Sequence, residues 1–137
     1  ASRPMLESTS YPGITNLLVS EAQFGDVVHD DLYSSCAIIP VGTANAARAM
    51  RAAERLPMIL DSLNTAYDLV VVECGPANAE AIRRLFAGDT KLLVSAIEEP
   101  DVVEAAAEAL VKAGLSKPTI VSPVSSLTPP TPGRSVA

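Results

Sequence analysis

Asp68-Leu69-Val70-Val71-Val72-Glu73-Cys74, closed by Gly75-Pro76, is the stretch that decides the fold. Its centre is four consecutive apolar residues, three of them valine. A strand with one wet face alternates apolar and polar residues; an unbroken β-branched run suits a parallel strand covered on both faces. Gly75-Pro76 ends the run, because proline cannot donate to a sheet ladder. Three further apolar runs match it: residues 36–42 (CAIIPVG), 91–97 (KLLVSAI) and 119–121 (TIV).

The segments between these runs read as helices. In residues 46–66, Leu56, Ile59, Leu60 and Leu63, with Tyr67 just beyond, recur at helical spacing and give one buried stripe. Pro57 breaks that span, so a kink or a second helix starting near Leu56 is expected. Residues 79–86 form a short helix. Residues 100–113 form another, with Val102, Val103, Ala106, Leu110 and Ala113 on one face and Gly114 placed to end it. Upstream, residues 14–20 and 24–29 read as two short helices. The alternation predicts an α/β domain over residues 13–122: three layers, a mostly parallel sheet of about four strands, and right-handed crossovers. Residues 1–12, with Pro4 and Pro12, read as an extended arm. Residues 123–137 hold Pro123, Pro129, Pro130 and Pro132 and read as a disordered tail.

Composition narrows the function. The chain has 137 residues, 48% hydrophobic and 19% charged, which excludes a disordered polypeptide. Net charge is −6, so the electrostatic footprint of a nucleic-acid binder is missing. The only aromatics are three tyrosines and two phenylalanines, too few for a base-stacking platform. No apolar stretch approaches the roughly 20 residues of a membrane helix, and no signal peptide is evident. Direct membrane insertion is therefore not expected, and the setting is read as cytoplasmic. Cys36 and Cys74 fit neither a disulfide framework nor a zinc motif, and they fall at opposite edges of the expected sheet.

Few residues carry chemistry. The single histidine, His29, has no ligand partner at metal-site spacing and reads as a surface or capping residue. No GxSxG elbow and no GxxxxGK[ST] phosphate loop occurs, so nothing evident holds a triphosphate. Glu73 stands at the carboxyl end of the decisive strand, the edge where parallel sheets bind ligands. An acid there can order a Mg²⁺-bound water, although an idle strand-end glutamate is the plainer reading. Arg48, Arg51 and Arg55 share a helix face and could grip an anion or an acidic partner; a solvated face is the plainer reading. Glu98, Glu99, Asp101 and Glu104 surround the start of the helix at Pro100, where negative charge complements the helix dipole. Gly42, Gly75 and Asn78 define an alternative, a small-ligand site of a Rossmann-like module.

Tyr11-Pro12-Gly13-Ile14-Thr15-Asn16-Leu17-Leu18, then Ile38-Ile39-Pro40-Val41-Gly42, then Tyr67 to Pro76 resemble, in order and approximate spacing, the bacterial tyrosine autokinases. These are the cytoplasmic, phosphate-loop ATPase-like domains of polysaccharide co-polymerases, the chain-length regulators of exopolysaccharide export. Ser2-Arg3-Pro4 is similar to the Arg-Pro after the family's second acidic phosphate-site motif. The resemblance covers residues 2–122. It implies a nucleotide-site remnant at Arg3, Glu73, Gly75, Pro76 and Asn78. It also implies Mg-ATP as cofactor of a full-length parent only, and other subunits of an export assembly as partners at the inner membrane.

The departures are as informative. Glu73 stands where the family has Asp, and Cys74-Gly75 replace Thr-Pro. The phosphate loop has no counterpart, and no tyrosine follows Tyr67 to match the family's autophosphorylated cluster. The expectation is a non-catalytic C-terminal portion of such a protein, with a homodimer as a further possibility. Limited proteolysis is expected to trim residues 123–137 and leave the rest intact. Loss of cooperative melting on their deletion would instead place the tail inside the fold.

Overall fold

Residues 5–75, 77–86, 90–95 and 99–121 are described in a computed structural model of the chain. The chain falls into two units, Ala1–Phe86 and Ala87–Ala137, each described by itself. Arg3, Pro76, Glu98 and the proline-rich tail lie outside the described residues.

The first unit begins with two short helices, α1 (Ile14–Leu18) and α2 (Phe24–Val27). The sequence reading carried the second helix to residue 29, but His29–Asp30 form a short strand, β1, antiparallel to β2 (Ala37–Ile38). Next come α3 (Ala46–Arg51), a 3-10 turn (Ala53–Arg55) and α4 (Leu56–Ala66), with Pro57 in the first turn of α4. The expected break at Pro57 is therefore present, at the position where a missing N–H is harmless. Helix α5 (Ala79–Leu85) closes the unit.

The buried core of this unit is Leu17, Leu18, Val27, Ala49, Ile59 and Leu63. Ile59 and Leu63 are the i, i+4 pair of the predicted α4 stripe, and Leu56 and Leu60 pack beside them. Ala49 has a methyl group alone, which lets α3 lie close against α1.

The decisive run, expected as a strand, has no regular secondary structure and joins no sheet among the described residues. Among the described residues the structure holds two two-stranded sheets, β1–β2 and β3–β4, and not one sheet of four strands. Val70 packs against the core, whereas Leu69 and Val71 are 79% and 78% exposed. What is missing is a neighbour, since a ladder needs a second strand to donate to and accept from.

The second unit is a β-α-β arrangement: β3 (Leu93–Ser95), α6 (Pro100–Lys112) and β4 (Thr119–Val121). The two strands are parallel, with Leu93, Val94 and Ser95 opposite Thr119, Ile120 and Val121. Parallel neighbours require a crossover, and α6 supplies it. Val103 and Leu110 are its buried residues, while Val102, on the predicted face, is exposed. Gly114 ends α6 in the left-handed region at φ +87°, with its N–H on the Val111 carbonyl and that of Leu115 on the Leu110 carbonyl. That bond pair is the Schellman stop expected of a glycine there.

Leu63→Ala is expected to cost about 2–5 kcal/mol, the range for emptying a buried leucine site. The exposed Leu69→Ala should stay within about 0.5 kcal/mol. Urea unfolding of both variants checks the contrast; equal losses would show that the 68–72 run is covered.

Candidate functional site

The most constrained part of the first unit is where residues 13–16 meet residues 40–43. The Ile14 and Thr15 N–H groups donate to the Pro40 and Val41 carbonyls, each at 2.9 Å. The Thr15 hydroxyl adds a 2.7 Å bond to the Val41 carbonyl. Asn16, 7% exposed, sits between the two segments. Its Oδ1 accepts from Gly13 N at 3.0 Å and Thr43 N at 2.9 Å, and its Nδ2 donates to the Thr43 hydroxyl. The backbones approach so closely that a Cβ on Gly13 would lie 2.0 Å from the Pro40 oxygen. One on Gly42, at φ +95°, would lie 2.4 Å from Asn16 Oδ1. A side chain at position 42 would therefore collide with Asn16 and Thr15, so the close contact requires glycine there. Sequence reading missed the role of Asn16; the signal was present, because Gly13 and Asn16 stand three apart, as N-cap and third helical residue do.

Two of the three arginines act on the turn after α1. That turn closes with Ser20 N on the Leu17 carbonyl and Glu21 N on the Asn16 carbonyl. It requires Ser20 at φ +60°, a conformation that glycine normally fills. Arg55 Nη1 donates to the Leu18 carbonyl at 2.7 Å and to the Ser20 hydroxyl, and Arg48 pairs with Glu21. Arg51, at the end of α3, is exposed. Arg55 thus holds the turn at a left-handed serine, and Arg48 pairs with the residue after it. No local sequence signal marks that serine.

The residues of the nucleotide-site remnant are dispersed in role. Glu73 is exposed at the end of the decisive run. Gly75 is left-handed at φ +59°, and an added Cβ would meet nothing, so its backbone angle alone explains the glycine. Asn78 caps α5: its Oδ1 accepts from Ala81 N at 2.8 Å. The neighbouring Cys74 thiol is pushed up from its ordinary value by desolvation. A protonated thiol is a poor nucleophile. Both cysteines are free and exposed.

On α5, Arg83 and Arg84 hold the Glu80 carboxyl below the ordinary carboxylate range, Arg83 the more strongly. A lowered carboxylate value stabilises the fold above the unfolded value and loses that contribution as pH falls through the lowered one. Full exposure makes this cluster a weak, salt-screened support for the helix.

His29 turns its ring on Tyr11 at a 4.3 Å centroid separation, and its Nε2 donates to the Pro12 carbonyl at 3.2 Å. It ties down the segment entering α1. Asp31, 8% exposed, accepts from the Ser34 hydroxyl at 2.5 Å, the Asp-to-Ser closure of a tight turn. Among the described residues, no group of three His, Cys, Asp or Glu side chains could hold a metal ion.

An open groove of about 740 Å³ runs between α2 and α4, past Phe24, Met58 and Ile59. Ligand sites need converging polar groups over an apolar floor. Here the charged rim is already committed: Glu21 to Arg48, Asp26 to Gln23 N, and Arg55 to the Ser20 turn. The groove lacks the chemistry of an active site.

Short motifs in a fixed order on a mixed helix and strand frame resemble those of a bacterial tyrosine-autokinase-like domain, and a solved structure bears out that resemblance. The chain is similar to the BceF Tyrosine Kinase Domain, with TM-score 0.64 and 25% sequence identity over 82% of this chain and 48% of that one. The chain therefore spans about half the length of that solved domain. No family profile matches the chain, and no curated protein matches it. No helix among the described residues is long and apolar enough to cross a membrane.

Arg55→Ala is expected to cost roughly 1.5–3 kcal/mol, because a charged donor leaves a backbone carbonyl. Arg48→Ala should cost under about 1 kcal/mol, as an exposed pair does. Thermal melts of both variants check the order; a reversed order would return the arginines to a partner-binding role.

Proposed function

We propose that this chain is a non-catalytic, structural or regulatory portion of a bacterial tyrosine-autokinase-like domain of an exopolysaccharide co-polymerase. The observation that carries the proposal is the likeness to a solved tyrosine kinase domain over 82% of this chain. The parent setting would be the cytoplasmic side of the inner membrane, among other subunits of a polysaccharide export assembly. In that setting the run Asp68 to Cys74 would serve as a strand of a larger, mostly parallel, phosphate-loop-type sheet.

Three features support a role without catalysis by this chain. The sequence has no phosphate loop, so backbone N–H groups and a lysine are not on hand to cradle phosphates. Among the described residues, Glu73 is not accompanied by a converging cluster of acids that could hold a metal ion. Asn78 is engaged in capping α5.

A second reading has its own support. About half of the solved kinase domain has no counterpart in this chain. An active Mg-ATP-dependent autokinase or ATPase would follow if the parent gene encodes a phosphate loop elsewhere. Glu73 would then order a Mg²⁺-bound water, and Arg3 would lie beside the phosphates. A GK[ST] sequence in the parent reading frame selects this reading, and its absence there selects the structural one.

The isolated chain is expected to bind Mg-ATP no more tightly than about millimolar, near 4 kcal/mol. Isothermal titration measures this directly. A micromolar dissociation constant would overturn the non-catalytic reading for the chain itself.

A further inference from the structure

We draw no further inference here: the strongest candidate, the buried Asp31 carboxylate in the turn between β1 and β2, whose Oδ1 has no hydrogen-bond partner among the described residues, carries nothing, because it belongs to no group of three His, Cys, Asp or Glu side chains that could hold a metal ion and nothing in the structure shows what would pair with it.

Discussion

The first unit depends on one close approach, the seating of Asn16 between Gly13 and Thr43. A buried carboxamide satisfies two backbone N–H groups and one hydroxyl at once. Each of those groups, left unpaired in the same place, would cost a desolvation penalty of about 1–3 kcal/mol. The contact exists only because residues 13 and 42 lack a Cβ, which brings the backbones within hydrogen-bonding range. Everything after it inherits that placement. Helix α1 starts there, its Leu17 and Leu18 enter the core, and its C-terminal turn lands where Arg48 and Arg55 can reach it.

That dependence explains what was legible from residues alone. Helices with a strong periodic stripe or a positioned breaker were readable: α4 with Pro57, and α6 with Pro100 and Gly114. Their determinants are local, within a turn or two of the element they shape. Apolar runs were legible, but their partners were not. Residues 69–72 carry every mark of a covered strand, yet the described residues give them no neighbour. Pairing is a long-range property, and an apolar run specifies only that some surface must cover it. The short β1–β2 ribbon escaped because the Val27-Val28-His29 stretch continues a helical pattern. The antiparallel bond to Ala37 and Ile38 ends that helix, and only the turn at Asp31 and Ser34 brings those two residues back.

The site residues show the same division. Asn78 was selected for a possible ligand role, and its side chain serves the α5 N-cap, a role its position just before Ala79 also announced. Gly42 was selected as a ligand-cradling glycine, and its space is taken by Asn16 and Thr15. The arginine face was legible as a face, since residues 48, 51 and 55 recur at helical spacing. Its target was not, because a serine at φ +60° has no signature in the sequence. Ser20 holds a conformation costing roughly 1 kcal/mol or more for a residue with a Cβ. The two guanidinium contacts offset that cost from another part of the chain.

These assignments bear on what the motif residues of a kinase-like frame do besides chemistry. Phosphoryl transfer is almost entirely positioning and charge stabilisation. It fails when donors and acids do not converge, even if residues of the right type remain. In this chain such residues do remain, and several have work that stabilises the fold: Arg55 holds a turn, Asn78 starts a helix, and Gly42 admits a close contact. Structural work of that kind constrains a residue as tightly as chemistry does. Similar motif residues in similar order therefore follow from a shared frame, whether or not a phosphate is ever held. The motifs Pro12-Gly13 and Pro40-Val41-Gly42 are here the two sides of the Asn16 junction. Their presence argues for the frame, while activity must be argued from the phosphate-binding parts.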